Sequence, residues 1–292
     1  RRQYGVTKLT RAALDQVAER LPLFREPGDG EVLLRKAGIR AVVSDALFAP
    51  SPQRNTRIFE NSILKAFLRG EQRQPELLRM TLNLPYFHEL RQREYVDFVS
   101  ALLDTSITSL EEYETAVFDL MCRACQCGIV AFKDQSAYSR IIQYDLPARA
   151  DAERIFNRLL ADPRNQLGWP DAKPLGDYLF HQFMRYAREL DVPVQLHTGH
   201  MAGIRNRVDK ANAAHLASVL ELHTRVRFDL FHGNWPYMGD ILFLAKNYPN
   251  VWLDLCWLPL VDPLYAVEFL RRAVMTVPHV KIHGFGGDYW DA

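Results

Sequence analysis

Apolar and polar positions follow one another in a regular way along the second half of the chain. Segments with apolar residues every three or four positions, the spacing of a half-buried helix, precede short apolar runs typical of strands buried on both faces. The helical segments are 175–190, 211–222, 239–246 and 263–274, and the apolar runs are 193–197, 226–231, 251–256 and 281–285. Strict alternation of strand and helix predicts a parallel sheet covered by helices.

The first half shows the same pattern less regularly. Helices are predicted at 9–21, 31–37, 62–68, 91–103 and 110–127, and strands at 40–45, 56–60 and 129–133. The total of seven predicted strands is one fewer than a (β/α)8 TIM barrel contains, and such a barrel needs about 250 residues. We therefore predict an α/β protein whose residues 1–292 form a single barrel of this class, with a helical insertion around 62–125. The first strand and the closing C-terminal helix are expected to be absent from this sequence.

Composition and charge restrict the expected partners and location. The 36 basic and 35 acidic residues nearly cancel, which gives no reason to expect binding to nucleic acid or to an anionic membrane. No run of 18 apolar residues occurs, so no membrane-spanning helix is predicted. No secretory signal is visible, and we expect a cytoplasmic protein with reduced thiols. Three of its cysteines, Cys122, Cys125 and Cys127, indicate either a metal or redox site or, as we favour, buried thiols of a helix.

Chemically active side chains follow several of the predicted strands. Lys133, His197 and His232 each end a strand, and Asp288 follows the last strand in a Gly-Gly-Asp turn. The carboxyl ends of the strands form the active site of a (β/α)8 barrel, so these side chains are expected to converge. Two imidazoles and a carboxylate are good ligands for a divalent transition metal such as zinc. A single histidine at a strand end is commonly structural, whereas the three residues together favour a functional site.

Other residues near these strand ends are candidates for contact with a substrate. His200 is placed to face a substrate, and Trp235 forms either an apolar wall for the substrate or part of the packing at the barrel rim. Arg57, Arg140 and Arg205 either bind a substrate carboxylate or lie on the surface. His283 lies inside the last predicted strand, and the pattern does not tell which face it occupies. The histidines on helices or connections are expected to be solvent-facing or capping: His88, His181, His215, His223 and His279.

Four stretches of the second half resemble the later strands of the amidohydrolase superfamily, in its amidohydrolase-related (amidohydrolase 2) branch. They are VPVQLHTGH, FHGNWPY, NYPNVWLDLCW and KIHGFGGD; the resemblance covers about 191–288 and extends more loosely over 37–140. It implies that His197 binds a metal, and that His232 binds a second metal or acts as an acid–base group. It also implies that Asp288 binds metal and takes a proton from the attacking water. Lys133 either bridges two metals after carbamylation or binds a substrate carboxylate.

The resemblance implies a metal-dependent hydrolase, with one or two divalent ions, zinc or alternatively manganese. The expected reaction is cleavage of an amide, ester or lactone bond in a small carboxylate-bearing substrate. The same branch includes non-oxidative decarboxylases, sugar-acid isomerases are more distant relatives, and a catalytically silent scaffold is the remaining alternative. Such barrels commonly form homodimers, which makes a homodimer possible here.

One motif of the superfamily, a His-x-His pair at the end of the first strand, does not occur in this sequence. The pair either precedes Arg1 in the natural protein or has been lost. The strand count, which lacks a first strand, favours the former.

Overall fold

The computed structural model describes residues 8, 10–20, 29–45, 62–71 and 76–288. These residues fall into two compact units. The smaller unit contains the described residues up to 42 together with 76–78, and the larger unit contains 43–45, 62–71 and 79–288. The candidate site residues that the structure describes all lie in the larger unit.

The smaller unit contains the two helices α1 (Arg11–Arg20) and α2 (Asp29–Lys36). Within it, the Arg35 guanidinium lies 2.7 Å from Glu31, one helical turn earlier, and 2.8 Å from Glu76. Both helices agree with the helices predicted from apolar spacing.

Seven parallel strands form one sheet and are ordered in it as they are in the chain. The strands are β1 (Val42–Ser44), β2 (Leu78–Asn83), β3 (Ala131–Asp134), β4 (Val194–Leu196), β5 (Phe228–Leu230), β6 (Val251–Asp254) and β7 (Ile282–His283). Parallel strands joined by helical crossovers are the arrangement of a (β/α)8 barrel, which confirms the predicted fold class.

Ten helices of the larger unit connect and flank these strands. They are α3 (Ser62–Leu68), α4 (Pro85–His88), α5 (Arg93–Leu103), α6 (Leu110–Gln126), α7 (Arg149–Ala161), α8 (Trp169–Glu189), α9 (Ala217–Leu222), α10 (Met238–Asn247), α11 (Leu258–Val261) and α12 (Pro263–Thr276). The start of α6 is fixed by a cap: the Ser109 side chain accepts from the Glu112 N–H, and the Glu112 carboxylate accepts from Thr108. Throughout the described part of the chain, every helix is too short or too polar to cross a membrane.

Apolar and polar side chains alternate along the strands, so that the apolar ones share one face of the sheet and the polar ones share the other. Apolar side chains face the helices and are at most 3% exposed: Phe132, Val194, Leu196, Phe228, Leu230, Val251 and Leu253. The intervening positions carry Asn83, Lys133, Gln195 and Asp229, which are in register on four neighbouring strands. Because residues in register share a face of a parallel sheet, polar groups line the inner face near the strand ends.

The main departure from the sequence prediction is β2, which was not expected. The segment 62–125, predicted to be a helical insertion, contains helices but also this strand. Its sequence LRMTLN is a short run in which neither helical nor strand periodicity dominates, so only its pairing with β3 identifies it. The predicted strand 56–60 lies outside the described residues.

Candidate active site

Two histidines predicted from separate strands meet at the carboxyl ends of β4 and β5. His197 follows β4, and His232 lies in the single 3₁₀ turn Phe231–Asn234 that follows β5. The Nε2 atom of His232 lies 3.2 Å from the Nδ1 atom of His197, and the two residues are 1% and 3% exposed. The backbone turns sharply at this point, with φ of 62° at His232 and 54° at Gly233, so that the imidazole is directed back over the strand ends.

Backbone carbonyl groups fix the tautomer of each imidazole. His197 Nε2 lies 2.7 Å from the carbonyl oxygen of His200, and His232 Nδ1 lies 2.7 Å from that of Cys256. Because a carbonyl oxygen only accepts, both of these ring nitrogens carry the proton. Burial lowers the pKa of His232 to about 3 and that of His197 well below its usual value, so both rings are neutral.

Two nitrogen lone pairs therefore face each other across 3.2 Å, which is a repulsive arrangement unless a cation lies between them. Two nitrogen ligands about 2.05 Å from a tetrahedral zinc ion would be about 3.3 Å apart. The Asp288 carboxylate lies 3.8 Å from His232 Nε2 and adds a negatively charged oxygen to the same set. This donor set fits a divalent transition metal.

Lys133 and Asp288 carry the charges of this site. The Lys133 ammonium lies 3.1 Å from the centroid of the Phe231 ring, and the residue is 4% exposed. Burial lowers the pKa of Lys133, while Asp45 and Asp288 oppose that shift. Burial also raises the pKa of Asp288, against the effect of Lys133. Burial thus shifts the pKa of both groups toward the neutral form, while the opposite charges of Lys133 and Asp288 counteract these shifts.

Aromatic rings surround the paired histidines. The Tyr138 ring lies 4.8 Å from the His197 ring, and the Trp257 ring lies 5.6 Å from the His232 ring, measured between centroids. His200 lies between two indoles, 4.7 Å from Trp257 and 5.5 Å from Trp235. The Trp235 N–H points to the Asp262 carboxylate at 3.4 Å. The structure thus places His200, Trp235 and Trp257 together beside the histidine pair.

The arginines expected near the site are distributed differently. Arg205 is exposed in the loop after β4, and Arg57 lies outside the described residues. Arg140, considered for substrate binding or the surface, is instead fully buried, with its guanidinium 2.5 Å from the Asp177 carboxylate. The Asp177 carboxylate, which belongs to α8, neutralises this buried charge.

Two helical histidines expected at solvent-facing positions are buried instead. His88 is 0% exposed and its Nε2 lies 2.7 Å from Asp134, the residue after Lys133. His181 is 5% exposed and contacts His223 through Nδ1 at 2.8 Å. Helical spacing alone gave no sign of these partners, because both lie on other elements.

Sequence reasoning also missed Asn83 and Tyr138. Asn83 ends β2 beside Lys133, and its Oδ1 is buried with no hydrogen-bond partner among the described residues. Recognition of β2 as a strand would have indicated Asn83, since it occupies the same position on β2 that Lys133 occupies on β3. Tyr138 lies in a 3₁₀ turn, Ser136–Tyr138, which left no periodic signal.

Comparison with known proteins supports the family resemblance. The family model for amidohydrolases matches residues 131–290, which include Lys133, both paired histidines and Asp288. Protein fluG of Emericella nidulans is 30% identical to this chain over 178 residues, which are 56% of this chain and 20% of fluG. The chain therefore spans about a fifth of the length of this curated relative.

Three solved structures have a similar fold. A Lactobacillus casei ATCC 334 protein described as a metal-dependent hydrolase gives a TM-score of 0.57 at 20% identity, covering 72% of this chain and 52% of its own. A uronate isomerase from Thermotoga maritima gives a TM-score of 0.65 at 14% identity, covering 94% of this chain and 62% of the isomerase. A glucuronate isomerase from Caulobacter crescentus gives a TM-score of 0.63 at 15% identity, covering 98% of this chain and 61% of the isomerase. This chain thus spans 52–62% of the length of these neighbours, and at such identities the likeness concerns the fold.

Proposed function

This chain belongs to the amidohydrolase family, and on that premise we propose that it is a metal-dependent hydrolase. Its substrate is a small carboxylate-bearing molecule with an amide, ester or lactone bond. The observation that carries the proposal is the pair of facing lone pairs on His197 and His232, with the Asp288 carboxylate beside them.

We assign the metal to His197, His232 and Asp288, with zinc as the ion that suits this nitrogen and oxygen set and manganese as the alternative. When bound, such an ion acts as a Lewis acid toward a carbonyl oxygen and lowers the pKa of water. His232 serves as a ligand in this proposal, because its Nε2 carries a lone pair and its Nδ1–H is held by Cys256. Lys133 is the further candidate at the metal, if it is carbamylated.

Asp288 is the group that moves the proton. Its Oδ2 accepts a proton from the attacking water and later delivers it to the leaving group. Burial raises the pKa of this carboxyl, which helps it to hold the proton between the two steps.

Lys133, His200 and Trp235 bind and orient the substrate in this proposal. The Lys133 ammonium, when it is not carbamylated, pairs with the substrate carboxylate in a buried environment, where a charge pair is stronger than in water. His200 and Trp235 form one wall that excludes water from the reacting bond. Arg205, exposed in the neighbouring loop, is a second candidate for the carboxylate, and Arg57 is a third.

A sugar-acid isomerase is the second candidate. The uronate and glucuronate isomerases share the fold over 94% and 98% of this chain, more than the 72% shared with the hydrolase-like neighbour. The same residues serve this reaction: Lys133 holds the sugar-acid carboxylate, and Asp288 transfers a proton between neighbouring carbons of the substrate.

Metal content and turnover together test the proposal. We expect about one or two equivalents of zinc or manganese by plasma mass spectrometry, lost in His197→Ala and Asp288→Ala but kept in His279→Ala, which removes an exposed histidine. Hydrolysis of an active amide, ester or lactone should fall by about 100-fold or more in Asp288→Ala, as the loss of a proton-transfer group predicts. It should also fall in His197→Ala, because that variant loses a metal ligand.

A folded protein that takes up no metal would exclude the hydrolase. Metal binding with conversion of uronates, and with no hydrolysis across the panel, would select the isomerase.

A further inference from the structure

A second group of metal-binding side chains lies on β5, β6 and β7. Asp229, Asp254 and His283 each offer one ligand atom, and these three atoms all lie within 4.8 Å of one another. None of the three belongs to the His197–His232–Asp288 set. Asp229 and Asp254 are only 5% and 8% exposed, so two carboxylates are buried side by side.

A single imidazole is shared between the two carboxylates of this group. His283 Nδ1 lies 3.2 Å from Asp229 and 3.7 Å from Asp254, whereas a charge-assisted N–H···O bond is about 2.7–2.9 Å long. A single N–H also cannot be donated fully to two carboxylates at once. Ligand atoms held about 2.0–2.6 Å from one cation lie roughly 3 to 5 Å apart, a range that includes the spacings within this group.

Each of the two carboxylates also accepts one hydrogen bond from a group outside the cluster. Asp254 Oδ1 accepts from the Cys256 N–H at 2.6 Å, and Asp229 Oδ2 accepts a long bond of 3.3 Å from the Gln195 amide. Among the described residues, the partner of Asp254 Oδ2 is His283, at 3.7 Å. Oxygen atoms with unused lone pairs thus face the same point as the imidazole nitrogen.

A cavity of about 380 Å³ gives access to the group. Asp229, His283 and Gln195 line it, together with apolar walls that include Phe228 and Trp252. Arg227 is also at its wall, but its guanidinium pairs with Asp191 at 3.0 Å, so its charge is engaged elsewhere. The cavity therefore presents the Asp229 carboxylate and the His283 ring to an entering ion, without a neighbouring free arginine among its described lining residues.

We propose that Asp229, Asp254 and His283 form a second divalent-cation site, with Gln195 beside it, in which the cation takes the place of the His283 Nδ1 proton. Two carboxylates with one imidazole suit Mn²⁺, since carboxylates bind it well and imidazole is compatible with first-row ions. The site also supports the candidate active site: Asp254 holds the Cys256 N–H, and the Cys256 carbonyl holds the His232 ring.

Mn²⁺ titration followed by electron paramagnetic resonance tests this site in a His197→Ala/His232→Ala background, from which both imidazole ligands of the candidate active site have been removed. We expect one equivalent of Mn²⁺ to bind. His283→Gln and Asp229→Asn should each weaken that binding by at least about tenfold, since even a supporting residue of a metal site contributes that much. Glu221→Gln removes an exposed acid and should leave binding unchanged.

Anomalous diffraction from Mn²⁺-soaked crystals of the wild-type protein gives the position directly and does not depend on how any variant folds. A peak between Asp229, Asp254 and His283 is expected, separate from any peak at His197 and His232. Absence of that peak, or Mn²⁺ binding that His283→Gln and Asp229→Asn leave unchanged, would show that the group is an ion pair only. A peak at His197 and His232, or its absence, separately tests the metal site proposed for hydrolysis.

Discussion

At the scale of single residues, the candidate active site depends on close backbone approach at Gly199. Its φ is +69°, and a Cβ placed there would lie 2.5 Å from the Asn234 carbonyl carbon and the Trp235 nitrogen. Because these neighbours are backbone atoms, they cannot move aside as a flexible side chain would. The loop after β4 and the turn that carries His232 are therefore packed directly against each other through a position that only glycine fills.

We predict that Gly199→Ala destabilises the protein by about 2 kcal/mol or more, the sum of overpacking and an unfavourable left-handed conformation. Urea unfolding measures this loss. Gly239→Ala is the control: it lies in α10 with no atom within 4 Å of the added Cβ, so its stability should stay equal or rise. Equal stability of the two variants would contradict the backbone contact.

At the scale of elements, α8 is bound to the loop after β3 by a buried charge network. Asp177 accepts from the Arg140 guanidinium at 2.5 Å and from the Asp145 N–H at 2.9 Å, and it also contacts Lys173. The Arg140 guanidinium lies 4.0 Å from the centroid of the Trp169 ring at the start of α8. The network orders residues 140–145, which connect the strand of Lys133 to the following helices.

We predict that Asp177→Asn costs about 3–5 kcal/mol of stability, because it leaves the Arg140 charge buried with no carboxylate partner. The exposed Asp171 on the same helix provides the matched control, and Asp171→Asn should change stability by less than about 0.5 kcal/mol. Chemical denaturation of both variants makes the comparison. A loss of under about 1 kcal/mol in Asp177→Asn would show that the network contributes little.

The same elements show what the sequence could reveal. The strands β3 to β7 were predictable because each is an apolar run between helical segments, and His197, His232 and Lys133 followed from the strand ends. Unlike these, β2 lacked a periodic signal, and Asn83 was missed with it. The tautomers of the paired histidines depend on carbonyl groups of His200 and Cys256, and no pattern of residue types encodes such contacts.

At the scale of the whole molecule, several buried histidines make stability depend on pH. Burial lowers the pKa of His223 to about 4 and also lowers that of His181, with which it shares a 2.8 Å contact. His181 Nε2 faces the Asp145 carbonyl and therefore carries a proton, so His223 donates to His181 Nδ1. His181 must stay unprotonated at Nδ1 to accept this hydrogen bond.

The sign of the pH dependence follows from these shifts. In the unfolded chain the histidines take up protons near pH 6.5, whereas folded His223 does so only near pH 4. Between these values the unfolded state binds more protons, so the free energy of unfolding decreases as the pH falls. In the metal-free protein His283 acts in the opposite direction: its two carboxylate partners raise its pKa to about 10, so its contribution is present below about pH 6.5 and is lost toward pH 10.

We predict that His223→Gln reduces the loss of stability between pH 6.5 and pH 4, because it removes one group whose protonation favours the unfolded chain. Urea unfolding at half-unit pH steps measures the slope for wild type and variant. The difference in unfolding free energy between the two proteins at pH 7.5 serves as the reference. At that pH the difference reflects the lost hydrogen bond to His181 and not proton uptake. Parallel curves for the two proteins over the acid range would show that His223 is protonated equally in both states. The acid dependence would then come from other groups with shifted pKa values, among them the histidines His181, His197 and His232 and the carboxyl of Asp134.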